Sequence, residues 1–589
     1  MSNIKLSTKY SSKRSFGWSQ DASDFRSLKN VVQIFDIESD FHNNLIVARI
    51  PMLVNDKDLA NKFKTILEQN PLRISYNDLV GTHSNPRKDS PCNGIIQASV
   101  CGQVKQYLSD WASDSFLRWA HLCGFVKYNG EDDTFEITDD GLDFSRSEDG
   151  SNGEKECLLN AILKYPPVSR ILQLLSGGEH LSKFEIGSQL GFVGDEGFTS
   201  LPQNVLLTSL AMTNDLSEKN KMRSDWDGSS DKYARQICKW LEKLGLIRQV
   251  EKEYKVSIGN KEYTEKLGQS YMITPDGLKA YRRLQGVNKV TKVSKNVFWE
   301  MLCPKARDRY YIRNRRAYLI KFLSDYNGVI SLEKLQEKLK EVKFEESIES
   351  IKDDIIGLQN IGLFIKESSN GYVLNDDIQN LVIPLNSIGT GKSDTLRLKD
   401  LCRDMLKNIS HNYLNLIDLA YDPKSNRQFE MEVVDLLVSE CGYKGLHLGG
   451  GRKPDGIIYT ESLEENYGTI IDTKAYSKGY SLPISQADEM RRYVDENNKR
   501  DAKINPNKWW DNFPKLLNKF SFMFVSSEFN GQFEEKLNNI AHTTGVNGAA
   551  MNVVNLLLFA ENIKSEFVGL EQAYNLMTQN SEIKLIDAK

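Results

Sequence analysis

Along the first two thirds of the chain the apolar positions repeat one pattern. An amphipathic helix closes on a Gly-apolar step, a hairpin of alternating residues follows, and a short polar restart comes last. It is read first at Phe116-Leu117-Arg118-Trp119 through Cys123-Gly124-Phe125-Val126, then Thr134–Thr138 and Asp139–Leu142. It returns at Tyr233–Leu241, Leu244-Gly245-Leu246-Ile247, Tyr271–Thr274 and Pro275–Leu278, and again at Ile351–Leu358, Ile361-Gly362-Leu363-Phe364 and Gly371–Leu374. A Gly-capped helix followed by a β-wing outlines the winged helix-turn-helix, so three copies predict three modules. Beyond a Gly/Ser-rich stretch, Asn386–Ser393, strand-like runs at Gly456–Tyr459, Thr469–Ile471, Phe520–Ser526 and Ala549–Val553 alternate with helices, one of them around Glu430–Val438. That alternation belongs to an α/β layer. The expected fold class is therefore multidomain α+β, with three winged-helix modules followed by an α/β domain. The boundaries are 1–148 with a basic N-terminal arm, 149–292, 293–380, a linker at 381–395, and 396–589.

Composition narrows the class. The 589 residues are 40% hydrophobic and 26% charged, ample for several cores in a soluble protein, and no apolar run approaches the roughly 20 residues that span a bilayer. Eight cysteines lack C-x-x-C spacing or histidine partners, which reads as reduced core thiols in a cytoplasmic protein. The net charge of −4 hides a basic run between Lys279 and Arg316, which includes Arg313, Arg315 and Arg316 and carries only Glu300 and Asp308 against it. Lying between two candidate DNA modules, this run reads as a phosphate-contacting patch. The third repeat has acidic flanks, Glu345-Glu346 and Asp353-Asp354, and is assigned to protein contact.

Candidate chemistry concentrates in Gly449–Tyr476. Lys453-Pro454-Asp455 leads into one apolar run, and a second run ends in Asp472-Thr473-Lys474 after a short acidic turn. As neighbouring antiparallel strands the two runs bring Asp455 and Asp472 together, and period-2 alternation puts Asp472 and Lys474 on one face. Asp455, Asp472 and the backbone carbonyl of Thr473 suit Mg²⁺, and Lys474 is placed to orient a water beside a scissile phosphate. D-x-K alone is a weak signal, because Asp422-Pro423-Lys424, Asp501-Ala502-Lys503 and Asp587-Ala588-Lys589 match it too. Those copies lack the preceding strand and the upstream Pro-Asp. Glu430 or Glu432 could support the cation through water. Gly389-Thr390-Gly391-Lys392-Ser393 looks like a phosphate loop, but Asn386 stands where a Walker A needs glycine, so no ATP is expected.

The PD…D-x-K pattern marks the PD-(D/E)XK nuclease fold. The longer strings His447–Thr460 and Tyr467–Val494 resemble the cleavage domain of the FokI family of type IIS restriction endonucleases. Phe16–Trp18, Ser113–His121, Gly197–Pro202, Trp226–Arg235, Phe298–Leu302 and Lys508–Pro514 extend the resemblance over nearly the whole chain. The resemblance implies a Mg²⁺-dependent enzyme that reads a short asymmetric duplex site, GGATG-like, and cuts both strands at a fixed distance outside it. It implies base-contacting segments at Gln20, Asp21, Arg87, Gln103 and Trp111, and at Ser224, Trp226, Asp227, Lys232 and Arg235. Asp21 and Ser224 stand where the family has Asn, and Asp227 where it has Glu. It also implies pairing of two cleavage domains through Asp488 and Arg492, a separate cognate DNA methyltransferase in a prokaryotic host, and a cutting domain resting on the reading domains until DNA binds. No membrane partner is expected. The competing reading is a non-catalytic winged-helix regulator with a structural Asp455/Asp472/Lys474 cluster.

Overall fold

The computed structural model describes the chain except residues 1–2, 11–13, 15, 84–90, 101–109, 259–260, 287–291, 386–390, 462–465 and 586–589, and the side chains of Asp110, Trp111 and Asp225. It divides into two compact units, Met1–Phe192 with Lys232–Val250 and Gln269–Gly391, and Val193–Asp231 with Glu251–Gly268 and Lys392–Lys589.

The first unit carries the repeats, and they share wiring as well as pattern. The helix Asp110–Leu122 stops before Gly124, whose φ of 76° is a left-handed cap, and strands Val126–Asn129 and Thr134–Ile137 pair antiparallel behind it. Thr138 Oγ1 then donates to the Gly124 carbonyl at 2.6 Å and accepts from Gly141 N, which starts the helix Asp139–Arg146. The second copy repeats every link: Gly245 with φ 73°, Thr274 Oγ1 donating to Gly245 O at 2.7 Å, and Gly277 N donating to Thr274 at the head of Pro275–Gln285. A Cβ at Gly141 or Gly277 would lie 2.1 or 2.0 Å from a backbone carbonyl of the preceding wing, which is why the restart requires glycine. Trp119 and Trp240, each five residues before its capping glycine, stack with centroids 4.8 Å apart and join the two modules. In the third copy Gly357 stands at that position, packed against the Phe192 ring.

The structure revises several sequence expectations. Arg315 donates to both Asp354 and Glu346, and Arg316 donates to the same Asp354 at 2.7 Å; all four side chains are buried. Arg313 is buried as well, with Nε on the Cys303 carbonyl. These arginines neutralise an internal carboxylate pair, so this end of the basic run is not a phosphate surface, and Asp354 and Glu346 do not present an acidic docking face. The basic arm is partly a strand, since Lys5–Ser7 pairs in parallel with Val382–Pro384. That ladder also shortens the linker, whose residues 386–390 lie outside the described residues. Lys392 is tied to Asp400 at 2.7 Å.

The second unit is built on a five-stranded mixed sheet, β1 (Lys444–His447), β2 (Gly456–Tyr459), β3 (Tyr467–Lys474), β4 (Lys519–Ser526) and β5 (Gly548–Asn552), in that order. The β1–β2 and β2–β3 pairs are antiparallel, whereas β3–β4 and β4–β5 are parallel. Alternation along the strands feeds two cores. Ile458, Ile471, Met523 and Met551 face helices that include α1 (Asn426–Ser439) and Val553–Lys564. Ile457, Ile470, Phe522 and Phe524 face α2 (Ile484–Lys499), Phe533–Thr544 and the Trp509-Trp510 pair. Segments from the second winged helix complete the unit. The helix Gln203–Met212 packs on α1 and β1, and Ile258, from the long wing strand Ile247–Ile258, packs against the α2-side core. Among the described residues no helix is long and apolar enough to cross a membrane.

Candidate active site

The register of β2 and β3 pairs Gly456 with Ile471, so the next residue on each strand, Asp455 and Asp472, meets at the point where the ladder stops. β3 runs on without β2 as neighbour, leaving one edge of Asp472-Thr473-Lys474 open for chemistry. Asp455 closes the gap with its side chain: Thr473 N donates to Asp455 Oδ2 at 2.7 Å and Thr473 Oγ1 at 3.2 Å. A strand residue points its N–H and C=O to the same side, so the Thr473 carbonyl looks out on the Asp455 edge. The Asp455 carbonyl accepts from Leu448 N at 2.8 Å and Gly449 N at 3.3 Å, anchoring the glycine-rich turn to the site.

Asp472 and Lys474 share the α2 side of β3 with Ile470, as the period-2 reading expects. Lys474 Nζ donates to Asp472 Oδ1 at 2.9 Å and lies 4.0 Å from Asp455 Oδ2. Burial and the Asp472 charge push the Asp455 carboxyl well above its ordinary range, against the pull of Lys474 and the Thr473 N–H. Burial also raises Asp472, offset by Lys474 and reinforced by the Glu489 charge. Burial opposes the Lys474 charge, but Asp472 and Asp455 outweigh it and hold the ammonium in its charged form. Two buried carboxylates against one ammonium leave negative charge that a divalent cation would relieve. No group of three His, Cys, Asp or Glu side chains converges among the described residues. The donors are therefore two carboxylates and a carbonyl, an oxygen set that suits a hard cation keeping part of its water.

Of the two helix carboxylates left open by sequence, Glu430 is the one turned to the site. Its charge bears on Asp455, and His447 Nε2 at the end of β1 lies 3.2 Å from its Oε2. Glu432 is buried and accepts from Asn415 at 3.2 Å and Gln428 at 3.4 Å. The decoy D-x-K copies serve turns: Asp422 and Asp501 accept from the backbone N–H of Lys424 and Lys503, and the third copy is outside the described residues. So is most of the acidic turn.

The candidate DNA-reading side chains are dispersed. In the first unit Gln20 is half-buried beside the Tyr233 hydroxyl, Asp21 is exposed, and Lys232 and Arg235 are half-buried three apart on the helix Ser229–Lys243. Arg87 and Gln103 are outside the described residues, and Trp111 is placed only by its backbone in Asp110–Leu122. In the second unit Ser224 is exposed and Asp227 half-buried, but Trp226 is buried beneath the guanidinium of Arg427 on α1, 5.5 Å from the ring centroid. Arg427 was not singled out from the sequence, because an arginine on a helix signals nothing until its neighbour is known. On α2 Asp488 pairs with Arg491 at 3.0 Å and Arg492 with Glu489 at 3.1 Å, each with its neighbour three residues away on the helix.

Four family models match this chain: FokI, recognition domain, subdomain 1 over residues 14–147; subdomain 2 over 154–290; the D3 domain over 302–370; and the cleavage domain over 392–584. The chain is 44% identical to the type II restriction enzyme FokI of Planomicrobium okeanokoites over 95% of its length and 97% of that protein's. It is 31% identical to the type II restriction enzyme StsI of Streptococcus sanguinis over 94% of its length and 93% of that protein's. The structure of FokI bound to DNA superposes with a TM-score of 0.90 at 44% identity, covering 97% of this chain and 99% of that one. A structure of restriction endonuclease FokI superposes with a TM-score of 0.89 at 44% identity, covering 97% of this chain and 100% of that one.

Proposed function

This chain belongs to the FokI family of type II restriction endonucleases and is a DNA-binding, site-specific endonuclease, and we propose that Asp455, Asp472 and Lys474 are the residues with which it hydrolyses phosphodiester bonds. One observation carries this reading: the two carboxylates and the ammonium converge at an open strand end, with the Thr473 carbonyl beside them. Asp455, Asp472 and that carbonyl would hold Mg²⁺, which when bound supplies positive charge to the scissile phosphate and acidifies a coordinated water. Lys474, held charged and pinned by Asp472, acts as a fixed cation that orients the attacking water and counters charge on the phosphate, not as a base.

We infer a type IIS division of labour. Residues 1–148 and 149–292 read a short asymmetric duplex sequence, GGATG-like, through Gln20, Asp21, Arg87, Gln103 and Trp111 and through Ser224, Trp226, Asp227, Lys232 and Arg235. Residues 293–380 mainly make protein contacts, and 396–589 cut both strands at a fixed distance outside the site. One Asp455/Asp472/Lys474 centre aligns one phosphodiester, so the second strand needs a second copy of the chain, joined through Asp488 and Arg492 about a two-fold axis. A separate methyltransferase and the prokaryotic cytoplasm complete the setting. Lys474→Ala should abolish Mg²⁺-dependent cleavage of a plasmid while leaving sequence-specific binding in a gel-shift assay unchanged. Normal turnover in that variant would refute the site and favour the regulator reading.

A further inference from the structure

Among the described residues, the α2 side of the site holds a buried hydroxyl with nothing to bond. Tyr480 follows β3 by a short loop and is 1% exposed, with its ring in the α2-side core. Its backbone is fixed at both ends: Tyr480 N donates to Glu528 O at 2.8 Å, and its carbonyl accepts from Asn530 N at 3.1 Å. The ring is held between Tyr476 and Phe529, with centroids 5.2 and 6.1 Å away. Its hydroxyl is buried and finds no hydrogen-bond partner among the described residues. Leaving such a group unsatisfied is costly, so a fold that fixes the ring this firmly holds the hydroxyl ready for something that arrives later.

What surrounds the hydroxyl identifies the arrival. Burial, together with the charges of Asp472, Glu489 and Asp455 and the Tyr476 phenol, keeps it protonated and neutral. Glu489 is itself oriented, accepting from the Tyr493 hydroxyl at 2.9 Å and from Arg492 at 3.1 Å, and its charge also bears on Lys474. A fixed neutral hydroxyl and a fixed carboxylate thus flank the two candidate cation ligands from the α2 side. Mg²⁺ keeps several waters, and those waters, with lone pairs turned to the cation, need acceptors for their protons.

We propose that Tyr480 and Glu489 are positioning residues for the hydrated cation: the Tyr480 hydroxyl oxygen and the Glu489 carboxylate each accept from a water of its hydration shell. This rests on the assignment of Asp455 and Asp472 as cation ligands and adds the chain's own outer contacts to it. Glu489 lies three residues from Arg492, so the outer shell and the proposed pairing face share one side chain.

The test is Tyr480→Phe in the full-length protein, which removes one oxygen and no packing. Ca²⁺ binding is followed by titration calorimetry without DNA, next to an Asp455→Ala control. The expected results are a melting temperature equal to or above that of the wild type, Ca²⁺ affinity lowered about tenfold, and single-turnover cleavage slowed about tenfold at low Mg²⁺ but recovering as Mg²⁺ is raised. Wild-type Ca²⁺ affinity in Tyr480→Phe, with binding lost in Asp455→Ala, would overturn the Tyr480 assignment alone, even if cleavage fell. Binding unchanged in both variants would overturn the cation site with it. A melting temperature several degrees lower would show that the hydroxyl serves the fold.

Discussion

Glu432→Gln isolates a buried charge on the helix that joins the reading segments to the cutting fold. The carboxyl of Glu432 is pushed up from 4.5 to about 8, first by burial and then by the Asp435 charge; hydrogen bonds from Gln428 and Asn415 oppose the shift and Asp231 adds to it. A carboxyl raised on folding favours the folded state while protonated, so its contribution is complete below about pH 4.5 and is lost as pH rises through about 8. Each pH unit in that window costs about 1.4 kcal/mol, giving a loss of about 3–5 kcal/mol across it. Glutamine keeps the length of the side chain and an oxygen to accept from Asn415 and Gln428, and it cannot ionise. In thermal melts of the full-length protein the variant should match the wild type near pH 5, exceed it increasingly toward pH 8 and keep a constant margin above that. Some pH dependence should remain in the variant, because Asp231 and Asp418, raised to about 7 and about 6 chiefly by burial, titrate with the same sign. Parallel melting curves for the two proteins from pH 5 to 9 would show that Glu432 is ionised, or solvated, in the folded chain.

The corrected arginine cluster changes what Asp354→Ala should do. Stripping the shared carboxylate from Arg315 and Arg316 leaves buried guanidinium charge and should lower stability by about 3–5 kcal/mol, read as the shift of the first melting transition. A shift below about 1 kcal/mol would mean that the pocket admits water. For the proposed pairing of cleavage domains, Arg492→Asp should suppress double-strand cleavage. Mixing it with Asp488→Arg should restore part of that activity, and strictly first-order cutting with no rescue would show that each chain cuts both strands alone.

The β2–β3 pair and the meeting of Asp455, Asp472 and Lys474 were legible from the sequence because every element of the signal is local. Alternation fixes which residues share a face, and the register follows from two short apolar runs. The repeat was legible for the same reason, and the structure adds that Thr138 and Thr274 cap the restart three residues before Gly141 and Gly277 in the two copies. The arginines misled because charge density in a sequence carries no information about burial. Only the packing of Ile348–Asn360, with its Asp354, against Arg309–Asp325 shows that the cations have internal partners. Tyr480 was invisible for a related reason, since an unbonded hydroxyl is a property of the surroundings.

The placement of Trp226 bears on how reading and cutting are linked. The side chain proposed to face a base is buried within the unit that holds the cutting sheet, with Arg427 over its ring. Arg427 is the second residue of α1. The first, Asn426, accepts from Ala475 N just past the proposed catalytic lysine, and the fifth, Glu430, bears on Asp455. A tryptophan face cannot lie against both a guanidinium and a nucleic-acid surface. On the proposed reading, DNA engagement at Trp226 therefore competes with a cation–π contact worth about 1–2 kcal/mol and with the burial around it. That cost falls on α1, which also carries Glu432 and the packing of Gln203–Met212, so the target sequence has to supply enough binding energy to loosen this contact. A non-target duplex that lacks the base contacts would leave Arg427 over Trp226, and selectivity for the target would then act on release of the cutting fold as well as on binding.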